Sequence, residues 1–191
     1  PTVLGSDGDP MVIHSRGTHD TFDPAAELDA VEQTDPGLAA EQRRVMLRMG
    51  DVVAGRFEVV GQLGFGGMGA VYHVKDGMLK TERALKVMLP SLLKSEAARE
   101  RFIGEVMVSQ RLSHEGIVRV FDLSEDPERG FQFFTMELIE GETLHHLLDG
   151  KDEGLPLAQV MDFAERICDI LTYAHRYTVH RDLKPQNIMV Q

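Results

Sequence analysis

The sequence predicts an α+β chain, and three observations carry that reading. Short segments rich in β-branched and aromatic residues recur between Phe57 and Leu138, a single helical stretch interrupts them, and after Gly141 the apolar residues adopt a helical period. Phe57–Leu63 is the first predicted strand. A glycine cluster follows, then Ala70–Val74 and Arg83–Met88 are the second and third strands, the latter stopped by Pro90. Glu96–Leu112 is predicted helical, with Ala98, Phe102, Val106 and Ser109 on one face. Ile117–Leu123 and Gln132–Leu138 bring the β-rich half to five strands. Helices are then expected over Thr143–Leu148 and Leu157–Tyr177, the second carrying Val160, Ala164, Ile167, Leu171 and Ala174 as its apolar stripe, with Cys168 in the core.

Residues 1–36 mix Gly, Pro, Asp and Thr with neither period, and segment 1–52 reads as an acidic, largely disordered leader. A short helix is predicted within it over 38–49, where Leu38, Val45 and Met49 share a face. Net charge is −11, and residues 1–50 hold nine Asp or Glu against four Arg, so about half of the excess lies there. An acidic chain with three Tyr, no Trp and no basic stripe is not expected to bind nucleic acid. No apolar run approaches a bilayer's thickness and no signal-peptide order opens the chain, so no membrane segment is expected and the setting is read as cytoplasmic. The single cysteine agrees with a reducing compartment. His14, His19, His145 and His146 have no carboxylate or thiol spaced with them as zinc requires, and read as surface residues.

Residues 64–71, Gly64-Phe65-Gly66-Gly67-Met68-Gly69-Ala70-Val71, have the pattern G-x-G-x-x-G-x-V. Glycines let backbone N–H groups approach phosphate oxygens with no Cβ in the way. The same spacing opens dinucleotide folds, but there the loop runs from strand into helix, whereas here a strand follows at once and the loop joins two antiparallel strands. Lys86 follows in Ala84-Leu85-Lys86, and Glu105 lies near the middle of the predicted helix, with Glu100 as an earlier competitor. Gly104 in that helix costs roughly 1 kcal/mol against Ala, which suits a mobile element. Tyr177-Thr178-Val179-His180-Arg181-Asp182-Leu183-Lys184-Pro185-Gln186-Asn187-Ile188 then sets a carboxylate, an ammonium and an amide at short fixed spacing.

In this order the segments resemble the protein kinases: glycine loop, V-A-I-K strand, a hinge strand at Phe133–Gly141, and the catalytic loop. The resemblance covers residues 53–191, is similar in style to bacterial kinases, and through Lys184, two residues after Asp182, to the serine/threonine form. It implies a two-lobed kinase-like fold. The N-lobe, 53–136, would hold a five-stranded antiparallel sheet plus one helix, 137–141 the hinge, and 142–191 a helical, incomplete C-lobe. ATP and Mg2+ are the implied cofactors, and a protein Ser or Thr hydroxyl the implied acceptor. By resemblance Asp182 accepts the hydroxyl proton, Lys184 neutralises the γ-phosphate, and Asn187 holds the metal with an Asp that the family carries further on. Lys86 would contact the α- and β-phosphates with Glu105 as its partner. The nucleotide would meet Leu63, Gly64, Phe65, Gly66, Gly67, Met68, Gly69, Val71 and Ala84, the gatekeeper Met136, the Glu137 carbonyl, the Ile139 N–H, and Met189 as a floor. His180 would orient the loop backbone, and Arg181 would pair with a phosphorylated activation loop. Between Ala174-His175 and Val179-His180 stand three residues where the family commonly has four, which tightens the helix end. The family's Asp-Phe-Gly has no counterpart before Gln191, so the chain by itself is expected to lack useful transferase activity. The alternative is a non-catalytic nucleotide-binding or interaction module.

Overall fold

The computed structural model of the chain describes residues 11–13, 45–66, 69–150, 154–180 and 183–191. Its strands are β1 (Met11–Ile13), β2 (Val52–Val53), β3 (Phe57–Gly66), β4 (Gly69–Asp76), β5 (Glu82–Met88), β6 (Val120–Asp126), β7 (Phe131–Met136), β8 (Glu142–Thr143) and β9 (Ile188–Val190). The α-helices are α1 (Glu96–Ser109), α2 (Leu144–Leu148) and α3 (Leu157–Ala174), and Pro90–Leu93 and Pro185–Asn187 form 3-10 turns. Two compact units result, one from residues 45–103 and 120–138, the other from 11–13, 104–119 and 139–191. Among the described residues no helix is long and apolar enough to cross a membrane.

The first unit is built on a sheet in the order β2-β3-β4-β5-β7-β6, every neighbouring pair antiparallel. The five expected strands are all present, the fourth running Val120–Asp126 rather than Ile117–Leu123, and two-residue β2, too short to show a period, makes a sixth. Alternation divides the sheet into two faces. Ala70, Tyr72 and Val74 of β4, Leu85 and Val87 of β5 and Phe131 and Phe133 of β7 enter one buried cluster, which Val45, Leu47 and Val53 complete. The Tyr72 hydroxyl accepts from the Leu47 N–H at 2.9 Å and donates to the Val45 carbonyl at 3.0 Å. Burial pushes its pKa up, which keeps the phenol a donor. Most of the helix expected over 38–49 lies outside the described residues. Its end is corrected: Val45 is helical, but Met46–Arg48 are not, because Tyr72 takes the backbone groups that a continuing turn needs. Met49 is 80% exposed instead of sharing a buried face with Val45.

Asp76 anchors the far end of this face. Its carboxylate accepts from Arg56 Nε at 3.0 Å and Arg56 Nη2 at 2.7 Å, and from the Met78 and Leu79 amides at 2.9 and 3.0 Å. Arg83 Nε lies 3.6 Å away. The Arg56 guanidinium holds the Asp76 carboxyl well below the usual carboxylate range, with the two amides adding to the effect and burial opposing it. The same amide bonds shape the β4–β5 turn. A second aspartate, Asp126, accepts from the Ala54 amide at 2.9 Å and ties the chain before β3 to the β6–β7 turn.

In α1, capped by the Ser95 hydroxyl on the Ala98 amide at 3.1 Å, Val106 and Ser109 are buried and Ala98 and Phe102 half-buried, as the expected face requires. The helix stops at Ser109, three residues early, where Leu112 bonds back to Ser109 in a tighter turn.

In the second unit β9 lies between β1, parallel, and β8, antiparallel. Met11–Ile13 thus form a strand inside a segment expected to lack regular structure; three residues are too few to announce it. Ile188 and Val190 pack with Leu144 and Phe163, beside Leu147, Leu148, Leu155 and Ile167. The stripe expected on α3 is shifted: Phe163, Ile170 and Ala174 are buried, while Val160 is 43% exposed and Ala164 also faces out. The partners of α3 decide this, since Phe163 fills the space against Ile188 and Val190, and Ile170 packs over Gly116. Cys168, a residue past the buried row, is exposed and not in the core. The helix ends at Ala174, whose carbonyl accepts from Tyr177 and Thr178 at 2.9 and 3.0 Å, closing the short connection to His180.

Asp76→Ala should destabilise the sheet unit by about 3 kcal/mol in urea unfolding, since it strands Arg56 and two turn amides. Because the folded carboxyl titrates below the unfolded value of about 3.9, its contribution is complete above about pH 4 and fades as pH falls; Asp76→Asn should flatten that acid limb in a thermal series. A Cβ at Gly104 meets nothing within 4 Å, so Gly104→Ala should stabilise the chain by roughly 1 kcal/mol, measured in the same denaturation assay.

Candidate active site

On the sheet unit, register brings together residues scattered through the sequence. Val71 pairs with Lys86, and Lys86 with Phe134; Ala84 pairs with Met136. Paired residues share a face, and so do residues two apart on one strand. Val71, Ala84, Lys86 and Met136 therefore all stand on the face opposite the Tyr72 cluster. Ala84 and Met136 are buried, and Val71 and Lys86 half-buried. The result is an apolar patch with one ammonium, a composition suited to a flat heteroaromatic ring carrying an anionic tail.

Phe134 belongs to the same patch, and sequence reasoning passed over it. Its ring centroid lies 5.6 Å from Lys86 Nζ and 6.2 Å from the Phe102 ring of α1. Counting back two from Met136 along an alternating strand was the available signal. Glu105 is half-buried in the middle of α1 and falls in the second unit, whereas Lys86 falls in the first.

Around the glycine loop the expected residues separate. Leu63 sits at a bulge between Gln62 and Gly64 and is 49% exposed. Phe65, paired with Ala70, packs against the buried cluster, on the other side of the sheet from Lys86. Gly67 and Met68 lie outside the described residues. Gly69 has φ +145°, and a Cβ there would run into the Val87 carbonyl of β5, so its lack of a side chain serves strand approach. Gly64 is different: a Cβ there meets nothing within 4 Å.

Glu137 is exposed near the end of the first unit's chain. In the second unit Ile139 is half-buried in an irregular stretch, and Gly141, φ +158°, lets β8 close on the Val190 carbonyl. Asn187 closes the 3-10 turn, its amide bonded to the Lys184 carbonyl at 2.9 Å. Lys184 is exposed and Asn187 half-buried. Met189 pairs with Thr143 and points away from the Ile188 and Val190 core. Arg181 and Asp182 lie outside the described residues, and among those described no group of His, Cys, Asp or Glu is arranged to hold a metal ion.

The sequence pattern of the protein kinase domain matches residues 57–191. The chain belongs to the protein kinase family. Among bacterial kinases, it is 41% identical over 145 residues to the DNA damage-responsive serine/threonine-protein kinase RqkA of Deinococcus radiodurans, covering 75% of this chain and 21% of that protein. It is 34% identical over 146 residues to the serine/threonine-protein kinase PknD of Chlamydia caviae, covering 71% of this chain and 16% of the relative. The crystal structure of the Mycobacterium tuberculosis PknI kinase domain superposes with a TM-score of 0.65 at 31% identity, covering 76% of this chain and 61% of that one. The kinase fold is thereby shown. The chain spans about a fifth of the length of the curated relatives it matches.

Gly69→Ala should lower the stability of this kinase chain by about 2 kcal/mol, because backbone must move, while Gly64→Ala should stay within about 0.5 kcal/mol; paired denaturation curves read the contrast.

Proposed function

We propose that this chain is the nucleotide-binding part of a protein serine/threonine kinase, which transfers the γ-phosphate of ATP to a protein Ser or Thr hydroxyl in the cytoplasm, the compartment that supplies ATP. One observation carries the reading: strand register assembles Val71, Ala84, Met136 and Lys86 on a single sheet face within a match to the kinase domain. The apolar members suit the adenine and Lys86 the α- and β-phosphates, with Glu105 as its partner. The Glu137 carbonyl and Ile139 N–H would take the adenine edge, and Met189 would lie beneath it.

Asp182 would accept the proton of the substrate hydroxyl as that hydroxyl's oxygen bonds to the γ-phosphorus and the bond from the γ-phosphorus to the β–γ bridging oxygen breaks, releasing ADP. Lys184 would offset the charge on the transferring group. The amide oxygen of Asn187 is the donor this chain offers to magnesium, a hard cation that takes oxygen ligands. Bound there, the ion would supply charge neutralisation on the phosphates. Relatives named as serine/threonine kinases support the acceptor class.

Titration of the chain with a fluorescent ATP analogue and magnesium should show saturable binding, weakened by about tenfold in Lys86→Met with the fold unchanged by circular dichroism. An unchanged affinity in Lys86→Met removes that lysine from its role. In the whole protein, Asp182→Asn should cut transfer at least about a hundredfold while nucleotide affinity holds; transfer that survives the substitution refutes the catalytic assignment.

A further inference from the structure

The match to the kinase domain begins at residue 57, but the sheet unit's core begins earlier. Val45 and Val53 are completely buried and Leu47 is 7% exposed, in one cluster with Tyr72, Val74, Leu85 and Val87. The Tyr72 hydroxyl reads the segment's backbone, receiving the Leu47 N–H at 2.9 Å and giving its proton to the Val45 carbonyl at 3.0 Å. What this face recognises is an apolar residue, a spacer and a second apolar residue, held by main-chain bonds that any such segment offers.

The segment has its own attachment to the sheet. Exposed Met49 and Gly50, at φ +86°, turn the chain, and the Gly50 amide meets the Val59 carbonyl at 2.8 Å. Asp51 accepts from the Arg48 amide at 2.8 Å and lies 3.3 Å from Arg129 Nη1. Release of Val45–Leu47 alone therefore leaves the chain pinned from Gly50 onward, and what it uncovers is Tyr72. Tyr72 and Val71 are consecutive on β4, so one points to the docked segment and the other stands with Lys86. A shift of β4 on one side is felt on the other.

We propose that the dry face of the sheet is a docking surface for the chain's own Val45–Leu47 segment, and that its occupancy sets nucleotide affinity at Val71 and Lys86 on the opposite face. This rests on the nucleotide reading above. A nucleotide that binds the docked form more tightly must, by linkage, tighten the docking in return.

The test uses the full 191-residue chain, a non-hydrolysable ATP analogue with magnesium, and two readouts: hydrogen exchange at the Leu47 amide and the analogue's Kd. Tyr72→Phe keeps the ring and removes both bonds; Leu47→Ala keeps Tyr72 and loosens the segment; Leu47→Met is the conservative control. The first two should speed Leu47 exchange by about tenfold and weaken the analogue by about fivefold, the control should do neither, and the analogue should slow Leu47 exchange in the unmodified chain. Faster exchange with an unchanged Kd overturns the coupling and leaves the nucleotide reading intact. Unchanged exchange in Tyr72→Phe overturns the docking itself. An unmodified chain that binds no analogue fails the nucleotide reading first, visible before any variant is made, and the coupling falls with it.

Discussion

Side chains alternate strictly across a strand, so the pairing of Val71 with Lys86 and of Lys86 with Phe134 commits every other residue of β4, β5 and β7 to a face. A slip of one residue would put Lys86 into the cluster with Tyr72 and Phe133 and turn Leu85 outward. The dry face guards against this, because moving Tyr72, Leu85, Val87 and Phe133 out of their cluster would expose four large side chains and bury a charge. The face that carries Lys86 is thus held in place by hydrophobic burial on the other. Asp76 fixes the hairpin that sets the register of β4 against β5, through two turn amides and Arg56.

Much of this was legible in the sequence because the governing signals are local. Period two in Ala70–Val74 and Arg83–Met88, Pro90 as a stop, and glycines at the turns specify strands and boundaries without long-range information. The family assignment was legible from residues 64–71 and 180–187, where chemistry restricts the residue types. Phe134 escaped notice because it looks like any core aromatic until the register with Lys86 is known.

Failures occurred where a distant partner decides. On α3 the apolar residues are dense enough to define two adjacent stripes, and only Ile188, Val190 and Gly116 select the one through Phe163, Ile170 and Ala174. Cys168 was misplaced by the same step. The end of the helix predicted to Met49 was lost to Tyr72, a residue some two dozen positions on whose hydroxyl outcompetes the next helical turn. β1 and β2 are too short for any period, and their existence depends on the edges offered by β9 and β3.

The steric position of Gly69 bears on how such loops are interpreted. Its hydrogen-only side chain is demanded by the Val87 carbonyl across the sheet, whatever occupies the opposite face. A variant of this chain that never met a ligand on that face would still be obliged to keep that glycine, while Gly64, with open space around it, could drift. Persistence of the final glycine is therefore a record of architecture rather than of any ligand.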